Sequence, residues 1–226
     1  MWLTRSSVGR KVVMSVTGLF LVLFVTFHAL MNVVAVFSPS GYDAVCEFLG
    51  ANWYAVLGSA VIALAIAIHF IYAAWLTLQN RKARGNDRYA VSKSWKEVDW
   101  QSKNMFAIGL IVVCFLILHL VQFWAKMQLP ELINNMGGES CIEPYTSGHY
   151  ALYEVFKHVW VLPVYLIGFA ALWFHLTHGF WSAFQTLGVA GDKWIGRWKT
   201  CAMWWATILF ILFAFTAIYL TWDCAF

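Results

Sequence analysis

Histidines at four places in otherwise apolar sequence are the side chains best suited to chemistry: His28, His69, His119 and His175, with His178 one turn beyond the last. Each lies inside a long hydrophobic run. All eleven Asp and Glu fall in loops or near the ends of those runs, and no Lys or Arg occupies a centre. The deep titratable groups are therefore essentially imidazoles, plus Cys114. An ionisable group in hydrocarbon is costly and by default marks function. A neutral imidazole there can hydrogen-bond across helices, relay protons or ligate a metal.

The elements that carry these histidines follow from composition. The 226 residues are 62% hydrophobic and 12% charged, with a mean hydropathy of +0.68, a balance that belongs to lipid rather than water. Five stretches, near 12–37, 53–79, 104–125, 159–187 and 200–222, are long enough to cross a hydrocarbon core of about 30 Å. The expected fold is all-α: one domain over 1–226 with five membrane-spanning helices, four of them forming a bundle around the histidines and the fifth peripheral. The first stretch follows Arg5, Arg10 and Lys11 but is too long for a signal peptide, and no small-residue cleavage site follows it.

Charge sets the expected orientation. Of the fifteen Lys and Arg, only Lys126 and Lys157 lie on one side. The others gather in the N-terminal segment, in the 80–103 loop (including Arg88, Lys93 and Lys96) and in the 188–199 loop. The positive-inside rule then places the N-terminus in the cytoplasm. The net charge of +4 describes one face suited to anionic lipid or a docked soluble partner, not a nucleic-acid site.

Depth decides how the histidines pair. The first and third helices run outward, with His28 seventeen residues after Lys11 and His119 sixteen after Lys103, so both fall in the outer half. The second and fourth run inward, with His69 and His175 each seventeen residues after Asn52 and His158, so both fall in the inner half. Two imidazole pairs at two depths, each drawn from two helices, are what two bis-imidazole haems stacked across a membrane require. Gly18, Gly58 and Gly109 precede their helix's histidine by ten or eleven residues, about 15 Å. Each is thus near the level of the other pair, with room for a porphyrin or for a close helix contact.

Cys46, Cys114, Cys141, Cys201 and Cys224 are scattered singly, with no Cys-x-x-Cys-His, so any haem is held non-covalently. A disulfide among Cys46, Cys141 and Cys224 is permitted on the outer side. The outer segment Ser38 to Asn52 is expected as a short loop and 126–157 as the longest connection, broken by Pro130, Gly137, Gly138 and Pro144 and ending in a short surface helix over 150–157. Trp53, Tyr54, Trp75, Trp95, Trp100, Trp124, Trp160, Trp194, Trp198 and Trp222 form an interfacial belt near the helix ends.

Over nearly its whole length the chain resembles the di-haem cytochrome b membrane anchors of succinate dehydrogenases and fumarate reductases. Ser6-Ser7-Val8-Gly9-Arg10-Lys11, Met14, Thr17-Gly18 and His28-Ala29-Leu30-Met31-Asn32 are similar to that family's first helix. His69-Phe70-Ile71-Tyr72-Ala73-Ala74, with Leu76-Thr77, Asn80 and Ala83-Arg84, is similar to its second. His119-Leu120 with Phe123 is a weaker signal, and the run from His175-Leu176-Thr177-His178-Gly179 to Gly188 is the strongest. The resemblance implies His28 and His119 as axial ligands of an outer haem b, and His69 and His175 as those of an inner one, with His178 the rival of His175.

It also implies a flavoprotein and an iron–sulfur partner on the cytoplasmic face of a bacterial inner membrane, and electron transport to or from menaquinone near the outer haem. Such a chain serves the tricarboxylic acid cycle or anaerobic respiration and catalyses nothing on succinate by itself. An outer carboxylate could exchange the quinol protons: Asp43 and Glu47 lie at that face, but so do Glu131, Glu139, Glu143 and Glu154, and any of them could be a solvated loop acid. His158 could bond a quinone or a haem propionate, or simply sit at the interface. Other readings are the cytochrome b of a hydrogenase or formate dehydrogenase, a histidine-based metal or proton transporter, and a purely structural anchor. The lack of buried carboxylates favours electrons over ions.

Overall fold

A computed structural model describes residues 6–50, 52–84 and 100–225. Arg5, Arg88, Lys93, Trp95 and Lys96 lie outside the described residues. Among those described there are helices and no strands: α1 (Ser7–Phe37), α2 (Pro39–Gly50), α3 (Trp53–Arg84), α4 (Trp100–His119), α5 (Ala125–Asn135), α6 (Gly148–Phe156), α7 (Val161–Thr186) and α8 (Asp192–Ala225). A π-helical turn, Leu120–Trp124, joins α4 to α5. Five helices, counting α4 through α5 as one, are long and apolar enough to cross a membrane. The chain is a multi-pass membrane protein.

Local chemistry explains where these helices start and stop. Ser6 caps α1 by accepting a bond from the Gly9 N–H at 2.9 Å, so the helix begins before the apolar run does. Ser38 is extended, as the residue before a proline must be. Its hydroxyl accepts from the Gly41 N–H at 3.0 Å, and Pro39 supplies a first helical position that needs no donor. The segment expected as a loop over 38–52 is therefore the helix α2: the proline opens a helix instead of breaking one.

Pro130 behaves in the same way. It lies inside α5 and cannot donate to the Lys126 carbonyl. The Tyr145 N–H takes that acceptor at 3.0 Å, so the third span continues to Asn135, ten residues past its expected end. The surface helix expected over 150–157 is α6. At the end of α7, Gly188 has a φ of +78°. The Val189 N–H reaches the Phe184 carbonyl and the Gly188 N–H the Gln185 carbonyl, a Schellman closure that favours glycine.

Small residues bring α1, α7 and α8 together. Ala29, Ala202, Ala206 and Ala217 are each at most 1% exposed, and close approach of backbones is how helices associate where lipid is as apolar as leucine. Val22, Leu176 and Leu209 fill one core, while Phe156, Val161, Phe169 and Leu220 fill another. Large apolar side chains such as Leu23, Leu57, Ile117, Ile167 and Ile211 point outward from the five spans.

Helix α7 packs on α1, α4 and α8, α3 leans mainly on α1, and α8 rests on α1 and α7 outside the four histidine-bearing helices. Peripheral in that sense, α8 is still well tied. The Trp205 indole N–H donates to Thr26 at 3.1 Å, and that of Trp173 donates back from α7 to Thr207 at 3.0 Å. At the end of the bundle opposite α2 and α6, cations lie over aromatic rings: Arg10 on Trp75, Arg81 on Phe106 and Lys199 on Trp181. Long stems there reach from apolar surface towards the headgroups.

Candidate functional site: two histidine pairs

The four spans α1, α3, α4 and α7 bring four imidazoles into two pairs. The His28 and His119 rings lie 5.7 Å apart between centroids, with planes crossing at 85°. The His69 and His175 rings lie 6.2 Å apart at 70°. Thr17 contacts His69, and His28 follows Thr17 by eleven residues, about 16 Å along α1. Gly109 lies against His175, and His119 follows it by ten residues, about 15 Å along α4. Both helices thus give the same vertical separation of the pairs.

The spacing within each pair discriminates among uses of an imidazole. Among the described residues no hydrogen bond joins the two rings of either pair. Centroids about 6 Å apart suit two imidazoles on opposite sides of one metal atom with metal–nitrogen bonds of about 2 Å. Also among the described residues, no three of His, Cys, Asp and Glu gather to chelate an ion. The Nδ1 atom of His175 is buried without a hydrogen-bond partner, and each of the four histidines keeps a small exposed surface. The residues fit a haem iron at each level.

Aromatic rings surround the pair nearer α2 and α6. Phe24 stacks on His28, Phe213 of α8 approaches the same ring at 6.1 Å, and His119 touches Phe115, Phe123 and Tyr165. Tyr165 donates to Gln122 Oε1 at 2.7 Å, inside the π-helical turn. That turn begins directly after His119, and such turns recur at functional sites. Sequence reasoning missed Phe213 and Tyr165, because an aromatic residue in a membrane span carries no distinguishing pattern.

The three glycines differ. A Cβ on Gly18 would come within 3.2 Å of His69 Cε1, so that glycine makes room for an imidazole, whereas one on Gly109 would stand in ordinary contact with His175 Cε1 at 3.8 Å. A Cβ on Gly58 would meet nothing within 4 Å. His178 rests on Trp181 with centroids 5.0 Å apart, whereas the ring facing His69 is that of His175.

The remaining candidates lie apart from the pairs. Asp43 accepts from the His149 main-chain N–H. Glu47 borders a shallow, open recess with Ala44, Phe48 and Asn52. His158 is exposed, and its carbonyl accepts from the Val161 N–H at the start of α7. Glu154 is paired with Lys157 at 2.8 Å. All five cysteines are free, so the disulfide allowed by chemistry is not formed. A polar link does run from this face to the nearer pair: Tyr42 donates to Asn32 Oδ1 at 3.4 Å, and Asn32 donates to the His28 carbonyl at 2.8 Å.

Compared with known protein families, characterised proteins and solved structures, the chain matches none.

Proposed function

We propose that this chain is the membrane anchor and electron-transfer subunit of a succinate:quinone or fumarate:quinol oxidoreductase, connecting an iron–sulfur subunit, itself bound to a flavoprotein, with menaquinone. The single observation that carries the redox part is the pair of imidazole–imidazole distances, 5.7 and 6.2 Å, at two levels of one bundle. The motif resemblance around His28, His69 and His175 carries the choice of partner enzyme.

In this reading His28 and His119 hold one haem b, and His69 and His175 the other. Bound haem supplies one-electron transfer within the membrane. The chain's own contribution is to fix the imidazoles and to keep their surroundings apolar: Phe24, Phe115, Phe123 and Phe213 cover the His28 and His119 rings. The basic end of the bundle faces the cytoplasm of a bacterial inner membrane and receives the iron–sulfur subunit, and α2 and α6 lie on the opposite face, where quinone exchanges protons.

The test is purification of the complex from membranes without added haem. Two b-type haems per chain, with flavin and iron–sulfur subunits in the same particle, are expected. Hydrogenase or formate dehydrogenase subunits in that particle would reassign the partner. A haem-free chain with histidine-dependent ion transport would replace the redox reading altogether.

A further inference from the structure

The imidazoles of the His69–His175 pair are held differently, and the difference traces to α1, where Thr17, Gly18 and the Met14 carbonyl all meet the His69 ring. Thr17 Oγ1 lies 3.2 Å from His69 Nδ1. The same hydroxyl is 2.9 Å from the Val13 carbonyl and 3.1 Å from that of Met14. A hydroxyl has one proton, and here it is given to a carbonyl of its own helix. Towards His69 it can then only accept, as the Met14 carbonyl does, an arrangement that favours the tautomer with its proton on Nδ1 and Nε2 as the free base.

The next residue, Gly18, has no side chain where a Cβ would stand 3.2 Å from His69 Cε1. The hydroxyl and the notch together form a seat for one ring. No comparable bond reaches His175, whose buried Nδ1 has no hydrogen-bond partner.

We infer that Thr17 is a positioning residue for His69, fixing its tautomer and orientation and tuning the metal that it shares with His175; this rests on the haem reading above. A bond from the outer nitrogen of a ligating imidazole raises the basicity of the ligating one. A more basic ligand favours iron(III) over iron(II) and lowers the reduction potential. Only the centre at the Thr17 level should feel it, because His28 lies about 16 Å away along α1.

The experiment is a potentiometric titration of the purified complex, wild type against Thr17→Val and Thr17→Ser. Valine keeps the shape and removes the acceptor, while serine restores it. In Thr17→Val both haems should remain. One midpoint should rise by a shift corresponding to as much as a tenfold change in the iron(III)/iron(II) ratio, about 59 mV for one electron, and the other should not move. Thr17→Ser should match wild type. Loss of a single haem in the valine variant alone also supports the assignment. Two unmoved midpoints, or a serine variant that behaves like valine, would overturn it.

Imidazole nitrogen NMR on the full chain separates this claim from the haem reading. If the wild-type chain bound no haem, His69 protonated at Nδ1 in wild type and altered in Thr17→Val would still uphold the seat. His69 unchanged between the two would end it.

Discussion

Asp43 accepts a 2.7 Å hydrogen bond from the main-chain N–H of His149, joining two short helices 106 residues apart in sequence. The acceptor belongs to α2 and the donor to the first turn of α6, where unsatisfied N–H groups and the positive end of the helix dipole favour a carboxylate. Next to it, Gly148 packs so closely on Cys46 and Tyr42 that no side chain fits. A residue that reads in sequence as a proton-exchanging acid thus has a structural duty.

Asp43→Ala should destabilise the detergent-solubilised protein by about 1 kcal/mol, the usual cost of a lost helix cap. Asp43→Asn retains an acceptor oxygen and should match wild type both in thermal unfolding and in quinol turnover. An asparagine variant with normal stability and abolished turnover would return Asp43 to quinone chemistry.

Cys46 reports on the same contact. Burial between α2 and α6 pushes its thiol above its ordinary value, the Tyr42 bond opposing only part of that shift. Burial pushes the Tyr42 phenol up as well. Both groups are held neutral by the fold, so their contribution is complete below the ordinary thiol value of about 8.5 and fades as pH rises beyond it. Thermal stability should therefore fall on the alkaline side. At pH 8 the thiolate fraction at Cys46 is small, and alkylation read by mass spectrometry should be slower there than at the exposed Cys141. Asp43→Ala should speed alkylation of Cys46. Equal rates at both cysteines in wild type would contradict the packing of α6 on α2.

Gly168 of α7 provides the notch in which the Phe115 ring of α4 lies; a Cβ there would fall on the ring. That ring cannot retreat easily, because Tyr165, Phe169 and His119 touch it on other sides. Gly168→Ala should cost about 1–3 kcal/mol, as overpacking does, and should disturb the spectrum of the His28/His119 centre before the other. Adding Phe115→Leu should restore part of the loss. A lone Gly168→Ala with wild-type unfolding and spectrum would mean that α4 and α7 slide freely.

What could be read beforehand was what a helix's rise per residue controls. Five spans and the levels of four histidines follow from apolar length and 1.5 Å per residue, and His28 and His119 do lie ring to ring. Side-chain reach was not legible: Thr17 looks like any membrane threonine until the third helix sets His69 beside it. Prolines misled twice. Pro39 stood in a segment read as a short loop and Pro130 was read as a breaker, yet the first opens α2 from the Ser38 cap and the second stays within α5 because Tyr145 takes the carbonyl it leaves free. Each outcome depends on a partner whose position sequence spacing does not fix.

His175 and His178 are separated by less than one turn, so depth alone does not choose between them. Ring geometry does: His175 faces His69 at 6.2 Å, and His178 packs on Trp181. Three residues of helix leave the two side chains about 60° apart around the axis and about 4.5 Å apart along it, so the rings share a face of α7 but not a level. Gly109 of α4 also lies against the His175 ring. Under the function proposed above, haem stoichiometry on purified His175→Ala should therefore fall from two per chain to one, with the His28/His119 centre retained and its midpoint little changed. His178→Ala should keep both haems. If instead His178→Ala loses the haem and His175→Ala does not, α7 turns in the membrane relative to the arrangement described, and Thr17 is left orienting a histidine with a different partner.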